Sequence, residues 1–265
     1  MKEKHWIIEE GDVPVIATAI HNGHMVRGEL EKLYAIDENS RLREEDPYTA
    51  IWTTIVPNRA VVLTSRFEVD LNRPREHAVY LKPEEAWGLE VWKEEPTEEM
   101  IADSLAEYDA FYEEVHELFS HLKERFGYFV VLDLHTYNHR REGPEGEEAD
   151  PRFNPDVNLG TGTIEDHAHW EPLIDRFRYD IEQFNFFGRT LDIRENVKFK
   201  GGYFALWTHQ TFGENACVLS VEFKKFFMDE WSGMADHKKV ELIRKVLELT
   251  LPGILEELKK IGAKL

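Results

Sequence analysis

A long amphipathic segment that runs directly into an apolar strand constrains the fold of this chain more than any other feature. Residues 97–126 carry apolar side chains at helical spacing, and the segment ends at Gly127, a residue suited to a helix C-cap. The stretch YFVVLDLH (128–135) follows at once and has the apolar, β-branched character of a buried strand. A helix joined in this way to a strand is half of an α/β crossover.

Other segments continue this alternation of strands and helices. The same patterns predict strands at 13–20, 60–71, 78–82 and 216–223, and helices at 166–187 and about 236–262, the last interrupted near Pro252. No internal repeat or flexible linker divides the sequence, so we expect one domain over residues 1–265. We therefore predict an α/β fold with a mixed, mostly parallel sheet covered by helices on both faces.

Composition excludes several classes of protein. The 42% hydrophobic and 12% aromatic content predicts a folded globule rather than a disordered chain. The net charge of −20 repels nucleic acid and anionic lipid surfaces, so we expect neither as a partner. No apolar run reaches the roughly 18 residues of a membrane span, and acidic residues stand where a signal peptide needs an apolar stretch. We expect a soluble, cytoplasmic protein.

Three of the predicted strands lead to polar side chains that could carry chemistry. The first leads to His21 and His24, the second holds Asp133 and His135, and the third holds Glu222. In open α/β sheets the working groups lie at the carboxyl ends of strands. We therefore expect these side chains to meet at one edge of the sheet.

The histidines indicate a metal site. Cys217 is the single cysteine, which excludes an internal disulfide and a cysteine-rich zinc site, and its apolar neighbours predict a buried structural thiol. Imidazoles from His21, His24 and His135 plus an open water position would make a catalytic zinc site. Asp133 lies on the same side of the strand as His135 and could orient its imidazole. The alternative is that the histidines are only polar strand caps.

Charged groups elsewhere suit substrate binding and proton transfer. Arg66 and Arg73 flank a strand-like segment and could grip a carboxylate through paired hydrogen bonds. The alternative is that Glu68 or Asp70 neutralises them in a structural network. Glu222 has apolar neighbours in the sequence. Its carboxyl is therefore expected either to have a raised pKa or to pair with a cation. Both outcomes suit a general base beside a metal-bound water.

Four short segments together resemble the N-formylglutamate amidohydrolase family, a distant relative of the zinc carboxypeptidases and aspartoacylases. They are HNG (21–23), SRFEVDLNRP (65–74), DLH (133–135) and VEFKKFFMDE (221–230), and with their surroundings they span roughly residues 13–231. The resemblance implies a three-layer α/β/α sandwich of the phosphorylase/hydrolase-like type. It also implies zinc-dependent hydrolysis of the amide of an N-acyl amino acid such as N-formylglutamate, with one zinc ion as cofactor and a small anionic amino-acid derivative as substrate.

The resemblance also implies roles for individual residues. His21 and His135 match the family's metal histidines, and Glu222 matches its catalytic glutamate. The third metal ligand stays open between His24, which has the spacing of the carboxypeptidase HxxE motif, and Asp46, which falls in an acidic element of the family. Contact with substrate is implied for Arg66, Asn72, Arg73 and His209, and NPDVNLGTG (154–162) would form a wall of the active site.

Two alternative functions share this predicted site. One is a protein that binds a metal or a carboxylate ligand without catalysis. The other is a metallopeptidase of the same chemistry, which would differ in the size of its substrate pocket.

Overall fold

A seven-stranded sheet organises the computed structural model, which describes residues 5–265. The strands are β1 Trp6–Glu9, β2 Val15–Ala19, β3 Asn58–Val62, β4 Phe129–Tyr137, β5 Val157–Gly160, β6 Ile193–Glu195 and β7 Ala216–Lys224. Their order across the sheet is β1-β3-β2-β4-β7-β5-β6. The β1–β3 and β5–β7 pairs are antiparallel and the other four are parallel, so the predicted mixed, mostly parallel sheet is confirmed.

Helices cover both faces of this sheet. They are α1 Gly28–Glu31, α2 Glu38–Glu44, α3 Thr49–Trp52, α4 Glu98–Phe126, α5 His167–Gln183, α6 Tyr203–Phe212 and α7 His237–Lys260. One core lies under α4 and α6, and the other under α3, α5 and α7. The molecule is therefore a three-layer α/β/α sandwich, as the sequence predicted. Across residues 5–265, no helix combines the length and the apolar character that crossing a membrane requires.

The strand β4 shows how the sheet separates core from chemistry. All nine of its residues are buried. Leu132 and Leu134 pack in the core under α5 and α7, whereas the alternate residues Asp133 and His135 point to the face that carries α4 and α6. Cys217 is completely buried in the same core as the two leucines, and burial raises the pKa of its thiol, which confirms the predicted structural role.

The long predicted helix has the expected ends. The Thr97 side chain accepts a hydrogen bond from the Met100 N–H and caps α4, and Gly127 follows its last residue. The final helix departs from the prediction, because α7 continues through Pro252 without interruption. Its buried residues, among them Val246 and Ile254, lie on both sides of the proline, so core packing offsets the loss of one backbone hydrogen bond.

Two predicted strands are wrong in part or in full. Of residues 60–71, only the first part belongs to β3; the chain then turns at Ser65, whose carbonyl accepts from the Glu68 N–H at 3.0 Å. Residues 78–82 form no strand, because Tyr80 packs with Phe67 in a small separate core beside the sheet. The end of the first segment alternates in polarity because Arg66 and Asp70 pair inside the protein, a pattern that imitates a half-exposed strand.

Candidate metal centre

Three neighbouring parallel strands bring polar side chains to one edge of the sheet. His21 lies just beyond the end of β2, His135 lies in β4, and Glu222 in β7 stands opposite His135 in the strand register. Because the carboxyl ends of parallel strands meet at the same edge, the three side chains come together as the sequence predicted.

Three of the side chains at this edge form a group that could hold a metal ion. They are His21, Asp46 and His135, each 2% exposed, and their ligand atoms all lie within 4.8 Å of one another. The Asp46 Oδ2 atom is 3.0 Å from His135 Nδ1 and 3.4 Å from His21 Nδ1. A tetrahedral zinc ion with bonds of about 2.0–2.1 Å holds its ligand atoms about 3.3 Å apart, which these separations match.

The second nitrogen of each imidazole faces another buried carboxylate. His135 Nε2 lies 2.9 Å from Asp133 Oδ2, and His21 Nε2 lies 2.7 Å from Asp70 Oδ1. A neutral imidazole that donates through Nε2 keeps a lone pair on Nδ1. Two bare Nδ1 lone pairs directed at the Asp46 oxygen would repel it, so a proton or a metal ion must lie between these atoms. The donor set therefore fits a divalent ion, and imidazole plus carboxylate suits zinc.

The two outer carboxylates are themselves held by hydrogen bonds. Thr18 Oγ1 donates to Asp133 Oδ1 at 2.8 Å, and Arg66 Nη2 donates to Asp70 Oδ2 at 2.7 Å. Burial acts to raise the pKa of Asp70, but the positive charge of Arg66, together with contacts from His21 and Tyr80, holds that pKa well below its usual range. Such fixed acceptors determine which nitrogen of each histidine faces the metal position.

Of the two candidates for the third ligand, the structure brings Asp46 into the group and not His24. The Asp46 N–H donates to the His21 carbonyl at 2.9 Å, and Thr136 Oγ1 donates to Asp46 Oδ1 at 2.8 Å, which leaves Oδ2 toward the imidazoles. His24 is a third exposed, and its Nδ1 pairs with Glu45 Oε2 at 2.5 Å. Its Nε2 lies 3.4 Å from Glu38 Oε1, so both nitrogens of His24 face glutamates outside the group.

Glu222 is half-buried at the wall of a cavity that also contains His21 and His135. Burial raises the pKa of its carboxyl to about 8, against an opposing effect from His135. Among residues 5–265, no side chain or backbone group hydrogen-bonds to this carboxylate. A carboxylate that is desolvated and lacks a fixed donor has the properties of a proton acceptor for a bound water.

The cavity has a volume of about 650 Å³ and includes three of the predicted substrate-binding residues, Arg66, Asn72 and Arg73. Arg66 is held by Asp70 and stacks 4.7 Å from the centre of the Trp87 ring, so the predicted structural pairing with Asp70 is present. Arg73 is freer, with its Nε 4.0 Å from the same carboxylate and 39% of its side chain exposed. Asn72 Oδ1 accepts the Phe204 N–H at 3.0 Å and ties the start of α6 to the cavity wall.

The structure does not bring His209, which was predicted to contact substrate, to the lining of this cavity. His209 lies on the buried side of α6, outside the lining of this cavity. Its Nε2 accepts the Val218 N–H of β7 at 3.0 Å and its Nδ1 pairs with Thr163 Oγ1 at 3.0 Å. The antiparallel pairing of β7 with β5 stops at Ser220, so His209 satisfies a backbone donor that the sheet leaves unpaired.

Residues 154–162, predicted as an active-site wall, support the wall of the cavity without lining it. They contain β5, whose Asn158 stands opposite Glu222 in the register. The Asn158 Oδ1 atom accepts the Lys198 N–H at 2.7 Å, and its Nδ2 donates to the Phe199 carbonyl at 2.8 Å. Lys198 and Phe199 line the cavity, so β5 positions the wall rather than forming its surface.

Comparison with known proteins identifies the family of this chain. The sequence profile of the N-formylglutamate amidohydrolases matches residues 13–227, well over half of the chain. The chain belongs to the N-formylglutamate amidohydrolase family. The family resemblance predicted from four short motifs is thereby confirmed.

Solved structures share the fold of this member of the N-formylglutamate amidohydrolase family. A crystal structure of N-formylglutamate amidohydrolase from Ralstonia eutropha is similar with a TM-score of 0.75 and 15% identity, covering 96% of this chain and 98% of that one. A gene product from Agrobacterium tumefaciens is similar with a TM-score of 0.64 and 15% identity, covering 96% and 97%. No curated protein sequence gives a significant match. Together these likenesses show a shared α/β fold at low sequence identity.

Four cationic residues of this family member line the cavity but were not singled out from the sequence: Arg141, Lys198, Lys200 and Lys225. Within residues 5–265, they make six cations with Arg66 and Arg73, against three carboxylates from Glu44, Asp46 and Glu222. The excess of positive charge is notable because the whole chain carries a net charge of −20. The sequence signal that could have indicated these cations was the KFK run at 198–200, which precedes two glycines in an acidic sequence.

Proposed function

We propose that this protein is a zinc-dependent amidohydrolase that cleaves the amide of an anionic N-acyl amino acid such as N-formylglutamate. The observation that carries the proposal is the convergence of His21 Nδ1 and His135 Nδ1 on one Asp46 oxygen. Family membership supports the hydrolysis of an amide. A cytoplasmic location stays a prediction from the sequence.

His21, Asp46 and His135 are the residues that would hold zinc. A zinc ion bound there supplies a Lewis acid that polarises a carbonyl and acidifies water. Asp133 and Asp70 keep the two imidazoles in the orientation that the ion requires, through the hydrogen bonds to their Nε2 atoms.

Glu222 is the proposed general base. It lines the same cavity as the three ligands, and its register position opposite His135 keeps its carboxylate close to them. In the proposed mechanism Glu222 accepts the proton of the attacking water and delivers it to the departing amide nitrogen. Its desolvated position favours this role, because a carboxyl with a raised pKa is a stronger base than an exposed glutamate.

The cations of the cavity support an anionic substrate. Arg73 has the most freedom to grip a carboxylate, since its guanidinium lies 4.0 Å from its nearest acidic neighbour. Arg66 is held between Asp70 and Trp87, so its proposed role is to present a fixed positive edge to the substrate or to the developing oxyanion.

The deciding experiment combines metal analysis with a substrate screen. Protein purified without added metal is analysed for transition metals, and then assayed on N-formyl, N-acetyl and aminoacyl derivatives of glutamate. We expect close to one equivalent of zinc and hydrolysis of an N-acyl derivative. Less than about a tenth of an equivalent, with no stabilisation by added zinc, would contradict the proposal.

The same screen separates the alternatives. Zinc binding without any hydrolysis would favour a non-catalytic metal protein. Preferential cleavage of the aminoacyl derivatives would favour a metallopeptidase of the same chemistry.

A further inference from the structure

A fully buried lysine lies immediately beyond the strand that carries Glu222. Lys225 is 1% exposed, and its backbone N–H donates to the Tyr137 carbonyl at 3.0 Å, which extends the pairing of β7 with β4 by one residue. A buried lysine is rare unless its ammonium group has fixed partners. Here the partners are two backbone carbonyls, those of Arg43 at 2.5 Å and Glu45 at 2.8 Å.

These carbonyls belong to the C-terminal end of α2. The last carbonyls of a helix have no partner within the helix, and the helix dipole places partial negative charge there. Arg66 Nη1 donates to the carbonyl between them, that of Glu44, at 3.3 Å. Three consecutive carbonyls therefore accept hydrogen bonds from two cations. These are Lys225, just beyond β7, and Arg66, in the loop that follows β3.

The next residue along the chain is Asp46, the third member of the metal group. The segment that leads to it is irregular, because Glu45 is extended, with φ −79° and ψ 173°. Lys225 joins this segment to β4 and β7, the two strands that carry His135 and Glu222. The ammonium group thus connects the ligand that comes from a loop to the ligand and the base that come from the sheet.

The charges around Lys225 suit the same role. Burial lowers the pKa of Lys225, and the negative charges of Asp46, Glu44, Glu45 and Glu230 oppose that lowering. Glu45 and Glu44 also pair with Arg41 at 3.9 Å and Arg141 at 3.2 Å, so Lys225 adds a buried positive charge to carboxylates that already have cationic neighbours. The positioning role of Lys225 therefore depends on its hydrogen bonds to the carbonyls of Arg43 and Glu45.

We propose that Lys225 is a positioning residue that fixes Asp46 for zinc binding by holding the carbonyls of Arg43 and Glu45. This inference rests on the proposed function, since it concerns the affinity of the site for zinc. It assigns Lys225 no contact with the substrate, although the residue lines the cavity.

A double-mutant cycle on zinc affinity tests the proposal. The zinc-free protein is prepared with a chelator, and its zinc dissociation constant is measured by competition for the wild type, Lys225→Gln, Asp46→Ala and the double variant. We expect Lys225→Gln to weaken zinc binding about 10-fold or more, in the range found when outer groups of a metal site are removed. In the Asp46→Ala background the same change should have little further effect, because Lys225 acts through Asp46.

Lys224→Gln is the matched control. Lys224 is the neighbouring residue, but its Nζ pairs with Asp156 at 3.2 Å, away from the metal group. We expect this variant to bind zinc as the wild type does. If Lys225→Gln does not fold, as judged by circular dichroism, Lys225→Arg replaces it in the cycle, since arginine keeps the charge but changes the position of the donors.

The outcomes are distinct. Wild-type protein that does not bind zinc would contradict the proposed function itself. A wild type that binds zinc, with a folded Lys225 variant of equal affinity, would overturn the inference about Lys225 alone. Additive effects of the two substitutions, or a raised KM at unchanged zinc affinity, would also overturn it, because they would show a role independent of Asp46.

Discussion

At the scale of single residues, the two oxygens of Asp46 have different tasks. Oδ1 accepts the hydroxyl of Thr136 at 2.8 Å, whereas Oδ2 faces the imidazoles of His21 and His135. Burial acts to raise the pKa of Asp46, but contacts with the two imidazoles hold it well below its usual range. The carboxylate is therefore ionised, and its Oδ2 atom faces the two imidazoles, as a metal ligand requires.

Alanine substitutions of Asp46 and of His24 should show which of the two residues is the third ligand. We expect Asp46→Ala to weaken zinc binding by about 100-fold or more, because a ligand contributes more than the outer groups that orient it. His24→Ala should change zinc affinity less than about threefold, since this imidazole pairs with Glu45 outside the group. Chelator competition measures both constants. A larger loss in the His24 variant would reverse the assignment.

Substitution of Glu222 should separate catalysis from metal binding. We expect Glu222→Gln to lower kcat by about 100-fold or more, because the amide cannot accept the proton of water. Zinc content should stay near that of the wild type, since Glu222 is not among the three grouped ligands. Steady-state kinetics with metal analysis on the same preparation tests this. Wild-type turnover in the variant would remove Glu222 from the mechanism.

Part of this site could be read from the sequence. His21, His135 and Glu222 follow apolar strands, and strand ends meet at one edge of a parallel sheet. Asp46 could not be distinguished from His24, because its position depends on contacts with the His21 carbonyl and with Thr136, a residue 90 positions away. Such contacts leave no pattern in a single sequence.

At the scale of elements, α6 supports the strand that carries the proposed base. His209 of α6 accepts the Val218 N–H where β5 no longer pairs with β7. Because Nε2 accepts, the hydrogen must lie on Nδ1, and the imidazole is neutral. Burial lowers the pKa of His209 to about 4, so this neutral form persists in mildly acidic solution.

His209 should therefore make stability depend on pH. A histidine in the unfolded chain titrates near 6.5, so between about pH 6.5 and 4 the unfolded state binds more protons, and stability falls as the pH falls. His209→Gln keeps one acceptor and one donor but does not titrate. We expect this variant to lose less unfolding free energy than the wild type across that window, by on the order of 2 kcal/mol. Urea unfolding of zinc-free protein at several pH values measures the difference; parallel curves would contradict it.

The prediction of elements was accurate where periodicity reflects burial. The helix α4 and the strands β2, β4 and β7 have long apolar patterns, and the structure contains all four. Residues 65–71 were wrongly predicted as part of a strand. Arg66 and Asp70 pair with each other inside the protein, so polar positions there do not mark a solvent-exposed face. The helix α6 was missed because it is apolar on most sides and too short to show a clear period.

At the scale of the whole molecule, the charge distribution is uneven. The chain carries a net charge of −20, yet the described part of the chain lines the cavity with six cationic residues against three carboxylates. The surface field repels anions at long range, and the cavity attracts them at short range. Added salt should weaken both effects, and cavity cations that reach the solvent, such as Arg73 and Lys200, are screened as the surface is.

Salt should therefore act on substrate capture rather than on the chemical step. From about 0.01 M to about 1 M salt, the screening length falls from about 30 Å to about 3 Å. If attraction inside the cavity dominates, kcat/KM for an anionic N-acyl amino acid falls severalfold and kcat changes little. We expect this outcome, because Arg73 and Lys200 are partly exposed at the cavity and open to screening. The uncharged diamide of the same compound is the control; an equal response of both substrates would exclude electrostatic capture.

The register of β4 against β7 also determines when the site can exist during folding. His135 and Glu222 are adjacent in space but come from strands separated by the whole stretch of chain between β4 and β7. Contacts between residues so distant in sequence are slow to form, because a long loop must close first. Tight zinc uptake should thus begin only after these strands have paired. In a refolding experiment, the onset of zinc binding would show when β7, in the C-terminal third of the chain, has paired with β4.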